Sequence, residues 1–163
     1  MSGPHRGLFL PLLKSILHNI GVVIVGFAVA LIGTSVDLLL ELHDFRSVLA
    51  IVAGFLLLIC GFLLRVWATF YFYRQQIKVI SLSPQRTLIT SGPYRFSRNP
   101  LYLGGNLFIF LGAALLFGSP AAVFITILHL PLVEVFIRRE ERQLERDFGE
   151  NWLQYRKRVR RWL

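Results

Sequence analysis

Two apolar runs, roughly Ile16 to Val36 and roughly Val48 to Phe72, are each long enough to cross the hydrocarbon core of a bilayer as a helix, which takes about 20 residues. Such runs constrain the fold strongly. In lipid, every backbone N–H and C=O must find its partner inside a helix or a closed barrel. Two shorter runs follow, about Leu101 to Phe117 and about Ala121 to Ile137, parted by Gly118-Ser119-Pro120. That tight break predicts a helical hairpin, read as two spans rather than one re-entrant pair. With 55% hydrophobic residues and a mean hydropathy of +0.59 over 163 residues, the composition excludes an ordinary soluble domain. The fold class expected is all-α, a single integral-membrane bundle of about four transmembrane helices with a cytoplasmic amphipathic C-terminal helix. Residues 1–75 supply the first two spans, and residues 76–163 supply a loop, the hairpin and the tail.

Charge placement orients the bundle. Arg6 and Lys14 precede the first span, and Asp37, Glu41 and Asp44 outweigh Arg46 after it. The next connector holds Arg74, Lys78, Arg86, Arg95 and Arg98 without an acid, and an Arg-rich tail follows the fourth span. By the positive-inside rule both termini are expected in the cytoplasm. The net charge of +9 then reports loops facing anionic lipid rather than nucleic acid. Trp67, Tyr71 and Tyr73 mark an interfacial end of the second span. The start shows no small-residue cleavage pattern, so no cleaved signal peptide is expected, and Arg160-Arg161-Trp162-Leu163 is no prenylation box. Cys60, the single cysteine, lies in an apolar run and reads as a small hydrophobe.

The chemistry concentrates in two clusters. Ser91 to Gly105 is dense in Gly, Pro, Tyr and Arg. Gly92 permits a positive φ, and Pro93 and Pro100 fix the chain. Tyr94, Phe96 and Tyr102 offer faces for an adenine ring or a sulfonium, and Arg95 and Arg98 offer forks for carboxylate or phosphate. The same ingredients also make an ordinary positive-inside loop. The second cluster, Arg138-Arg139-Glu140-Glu141, carries carboxylates that would bind an ammonium or act as a base, or would simply begin a solvated helix. The tail, about Arg138 to Trp162, repeats Leu144, Phe148, Trp152, Tyr155, Val159 and Trp162 at steps of three and four, with Gly149 as a point of interruption. Arg65 and Glu134 lie within apolar segments near the predicted cytoplasmic face, and pairing between them is expected. His129, near Pro131, reads as a core histidine rather than a ligand. His5, His18 and His43 are scattered, and no His, Cys and carboxylate cluster has metal spacing.

Thr90-Ser91-Gly92-Pro93-Tyr94, then Arg98-Asn99-Pro100-Leu101-Tyr102-Leu103-Gly104, then Glu140-Glu141, Phe148-Gly149, Trp152 and Tyr155, in this order around a helical hairpin, resemble the isoprenylcysteine carboxyl methyltransferase and phospholipid methyltransferase superfamily. The resemblance covers about the last 75 residues. It implies an enzyme that moves a methyl group from S-adenosylmethionine to a lipophilic acceptor reached through the bilayer, by this likeness a prenylcysteine-like carboxylate. It also implies that Gly92, Tyr94, Arg98, Asn99, Pro100, Tyr102, Gly104 and Glu141 hold the cofactor on the cytoplasmic side. Glu140 and Glu141 would act at the cofactor's polar end or at the acceptor, and Arg139 would orient a substrate carboxylate. Asn99 stands where eukaryotic members have His, so a proton shuttle there is not expected. Three alternatives remain: phospholipid amine methylation, an NADPH-dependent reduction as in sterol reductases (whose larger span count fits 163 residues poorly), and a non-enzymatic scaffold whose basic tail grips anionic lipid. The sequence does not reveal an oligomeric state.

Overall fold

A computed structural model describes residues 6–74 and 87–163; Lys78, Arg86, His5 and the expected 75/76 division lie outside them. The described chain is all-helical, with helices α1 (Arg6–Leu39) and α2 (Val48–Arg74) first. The third span begins with one turn, α3 (Pro100–Tyr102), widens into a π-helix (Leu103–Ile109) and returns to α4 (Phe110–Phe117). Helix α5 (Pro120–Phe148) and the short α6 (Glu150–Arg158) complete it. Four segments have the length and apolarity to cross a bilayer, the third of them the 18 residues Pro100–Phe117.

The third span is the inner one, with 44% of its apolar window buried against 17% for α2. Its contact with α2 is made backbone to backbone. A Cβ on Gly54 would lie 2.8 Å from the Gly112 carbonyl oxygen, and one on Gly112 would lie 2.8 Å from that of Gly54. Gly61 and Gly104 form a second couple, with distances of 2.6 and 2.8 Å. Small residues bring membrane helices this close because dispersion, not water, drives their association. The outer faces carry exposed Leu38, Leu39, Val48, Leu49, Phe124 and Leu132, which lipid solvates. Exposed Cys60 belongs to that surface.

The hairpin between α4 and α5 is capped from two sides. Gly118 takes a left-handed φ of 64° and sits against the Arg46 backbone, so a side chain there would be both strained and crowded. Ser119 is the N-cap of α5, with its Oγ accepting from Ala122 N at 3.0 Å. Buried Asp37, at the end of α1, accepts from Ser119 Oγ and from Ala121 N, the latter at 2.9 Å. Asp37→Ala would orphan both donors and is expected to cost about 1–2 kcal/mol, seen as a lowered thermal midpoint in detergent. An unchanged midpoint would mean that solvent caps α5 equally well.

Helix α5 corrects one expectation. The fourth span and the first half of the tail are a single helix that runs through Pro131 and past Glu140-Glu141 to Phe148. Only at Gly149 (φ 50°, ψ −122°) does the chain turn into α6, as the interruption there predicts.

Candidate active site

The loop of residues 91–99 is folded onto the aromatic end of α2. Gly92 has a φ of 61° and lies on Tyr71, whose ring would stand 2.5 Å from any Cβ placed there. A 3₁₀ turn over Gly92–Arg95 closes with Phe96 N and Ser97 N both donating to the Pro93 carbonyl. This turn directs Tyr94 inward against Phe72, ring centroids 5.9 Å apart, and places Phe96 6.4 Å from Trp67. The aromatic belt expected at this end of α2 is therefore also the floor of the loop.

The C-terminal segment closes over the loop. Tyr155 on α6 donates to the Tyr94 carbonyl at 2.8 Å, and Arg98 N donates to the Arg160 carbonyl at 2.9 Å. The Arg161 carbonyl accepts from Ser97 Oγ at 3.1 Å and from Asn99 Nδ2 at 3.3 Å. The Arg161 side chain then reaches the carboxylates of α5. Its Nε and Nη2 grip Glu141 at 3.1 and 2.6 Å, and its Nη1 takes Glu134 at 2.6 Å. Bidentate guanidinium–carboxylate bonding is the strongest form such a pair takes. Arg98 Nη1 approaches Glu141 Oε1 at 3.1 Å, and its guanidinium lies 5.7 Å from the Trp152 ring centre. Burial pushes the Arg98 guanidinium below its ordinary range while Glu141 pulls it back. The Glu141 hydrogen bonds raise Arg161, and burial raises the phenols of Tyr94 and Tyr155, so both phenols stay neutral.

Beneath this clasp is a cleft with about 570 Å³ of empty space, counted to its open mouth. Of the residues expected to bind the cofactor or act in catalysis, Tyr94, Arg98, Asn99, Pro100, Tyr102, Glu140 and Glu141 line it together. Phe72, Leu88, Ile89, Leu101, Leu144, Trp152 and Tyr155 complete the wall. Gly92, Gly104 and Arg139 are not in the lining. Gly92 shapes the loop, Gly104 serves the crossing with α2, and Arg139 is exposed. Tyr102 donates to Glu140 Oε1 at 2.9 Å, so the two side chains act as one unit at the cleft. Tyr94 Oη, Arg98 Nε and Trp152 Nε1 are buried with no hydrogen-bond partner among the described residues, and Arg98 Nη1, though at ion-pair distance from Glu141, is not aligned to hydrogen-bond it.

One pairing differs from expectation. Glu134 bonds Arg138 (2.9 Å) and Arg161, not Arg65. Arg65 instead donates to Asn19 Oδ1 at 2.7 Å and to the Leu101 carbonyl at 2.6 Å. Which oxygens each side chain reaches is set by the packing of α1 and of the C-terminal segment, which linear spacing does not encode. Arg161 was not among the sequence candidates. Within Arg160-Arg161 it looks like any positive-inside residue, and no periodicity separates it from its neighbour. His129 is half-buried, its Nδ1 2.6 Å from the Thr126 carbonyl oxygen, its Nε2 3.3 Å from Asn106 Oδ1 and its ring near Phe110.

A family model described as phospholipid methyltransferase matches residues 49–151, which run from α2 through the loop and hairpin to the start of α6. Comparison with curated proteins and with solved structures gives no match.

Proposed function

The chain belongs to the phospholipid methyltransferase family, whose members are membrane methyltransferases, and from that premise we propose that it methylates the headgroup amine of a lipid at the cytoplasmic bilayer surface, with S-adenosylmethionine as donor. The observation that carries the reading is the set of partnerless buried polar atoms, Tyr94 Oη, Arg98 Nε and Trp152 Nε1, around one cleft beside a carboxylate. Buried polar groups are almost always paired, so these suit a polar ligand. The residues fit S-adenosylmethionine. Tyr94 and Trp152 offer aromatic faces, Arg98 a fork for its carboxylate, and Glu140 a counter-charge. When bound, the cofactor supplies an electrophilic methyl group on a sulfonium.

The chain's own part is positioning, exclusion of water and one proton transfer. We assign Glu141 to holding the clasp, since Arg98 and Arg161 already occupy both its oxygens. Glu140, held through Oε1 by Tyr102, remains to take the proton from an acceptor ammonium. That carboxylate favours an amine acceptor, which must lose a proton, over a carboxylate acceptor, which it would repel. The free Arg98 Nε favours the second reading, a prenylcysteine-like carboxylate. The acidic first connector and the basic loop and tail support a cytoplasmic cleft.

Calorimetric titration with S-adenosylmethionine, S-adenosylhomocysteine and NADPH tests the donor. The first two are expected to bind and the third is not; the reverse would make the protein a reductase. Labelled methyl transfer into vesicles of an amine-headgroup phospholipid, against a prenylcysteine in the same vesicles, then tests the acceptor. Glu140→Gln is expected to lower turnover on the amine roughly 100-fold with little change in S-adenosylhomocysteine affinity. Full turnover in that variant would remove Glu140 as the base.

A further inference from the structure

We propose that Arg65, on α2, is the positioning residue that aims Tyr102 at Glu140; the proposal rests on the methyl-transfer reading above. Arg65 is 8% exposed and lies among apolar helices, where an ionised side chain is costly and is retained for what it holds. It has no carboxylate within ion-pair distance, although every Asp and Glu of the chain lies among the described residues. Among the described residues, its side-chain hydrogen bonds go to two neutral oxygens, Asn19 Oδ1 on α1 and the carbonyl of Leu101, the residue before Tyr102.

Each end of this fork is fixed. Asn19 Nδ2 donates to the Ser15 carbonyl and to Thr69 Oγ1, both at 2.8 Å, and Ser15 Oγ bonds Thr69. Thr69 in turn donates to the Arg65 carbonyl at 2.8 Å. At the other end, the third span widens from α3 into the π-helix immediately after Tyr102. Such wide turns need a local cause, and they concentrate at functional sites. Here Arg65 fills the place that two missing side chains leave. A Cβ on Gly104 would meet its Cγ at 2.8 Å, and one on Gly105 would meet its Nη1 at 2.6 Å. The guanidinium therefore transmits the position of the α1–α2 pair to the backbone beside Tyr102, whose hydroxyl sits 2.9 Å from Glu140 Oε1.

A double-mutant cycle tests this, read as turnover into amine-headgroup vesicles, S-adenosylhomocysteine affinity and thermal midpoint. Arg65→Gln is expected to reduce kcat on the order of 100-fold, as misplacement by an ångström does, with affinity held within about threefold. Arg65→Lys, which keeps a charged donor, recovers part of the rate. In a Tyr102→Phe background, Arg65→Gln is expected to add less than about threefold, because the hydroxyl it aims is gone. Should Arg65→Gln fail to fold, Gly105→Ala, whose Cβ would meet Arg65 Nη1 at 2.6 Å and Cζ at 3.3 Å and so displace the guanidinium, is expected to reproduce the kcat loss. Independent, multiplying effects of the two substitutions, or wild-type kcat in folded Arg65→Gln, would overturn the proposal alone. A wild-type protein that binds neither methyl donor nor its product overturns the methyl-transfer reading and this proposal with it.

Discussion

Glu141→Ala is expected to abolish S-adenosylhomocysteine binding and to free the C-terminal segment. Glu141 is 7% exposed and answers two guanidiniums, Arg98 and Arg161. Removing one partner of a buried ion pair costs about 3–5 kcal/mol, because the remaining charge keeps its desolvation cost without its Coulomb return. Arg161 is one-quarter exposed and can turn toward water, which lowers that figure for its half of the pair. Arg98, at 9% side-chain exposure, cannot. With Arg161 released, its carbonyl loses Ser97 and Asn99, and the cleft opens at its clasp. Glu141→Gln keeps the volume and some hydrogen bonding, so a smaller loss is expected. The measurements are calorimetric titration and the rate of tryptic cleavage after Arg158 and Arg160. Wild-type affinity in folded Glu141→Ala, with the tail still protected, would show that the clasp is held by the backbone bonds alone.

Gly61→Val is expected to prevent the bundle from assembling. A Cβ at Gly61 already lies 2.6 Å from the Gly104 carbonyl oxygen, 2.8 Å from Phe108 Cβ and 3.0 Å from Ile109 Cγ1. The first of these is backbone and has no rotamer with which to yield. Overpacking a well-filled core typically costs 1–3 kcal/mol; here the two further methyl carbons force α2 and the third span apart, so the cost exceeds that range. Separation also draws Arg65 from the Leu101 carbonyl, so both packing and site are lost. Gly21→Val is the control, since a Cβ there meets nothing within 4 Å. Comparing both variants with the wild type by elution profile and thermal midpoint in detergent decides the matter. Equal midpoints for Gly61→Val and Gly21→Val would mean that the glycine couples do not set the crossing.

The spans and the hairpin are legible in the sequence because a bilayer leaves an apolar run of about 20 residues one choice, the helix. The end of the fourth span is less so. Hydropathy stops near Ile137, but helicity does not depend on apolarity, and α5 continues to Phe148 through residues that form helix well. The candidate site is legible only as a set of residue types: seven of the residues expected to bind cofactor or act in catalysis line one cleft. Its partnerships are not. That Arg65 takes Asn19 rather than Glu134 depends on direction around the helix axis and on the neighbouring helix, and Arg161 is recruited from the tail by a backbone path. The widened turn of the third span leaves no mark beyond Gly104-Gly105, a pair equally suited to close packing.

That wide turn bears on how such a protein can change by descent. Each hydrogen bond in a π-helix reaches five residues back instead of four, so the stretch Leu103–Ile109 is equivalent to an α-helix that has absorbed an inserted residue. Loss of that one residue, with a return to the tighter α-helical turn, would leave Tyr102 and Gly112 in nearly the angular relation they have now, while barely altering the length that the bilayer requires. Insertion and deletion, which are usually ruinous inside a membrane helix, are thus a tolerable kind of variation in this stretch, taken up by the width of the turn while the aim of Tyr102 and the Gly54–Gly112 crossing are both inherited unchanged.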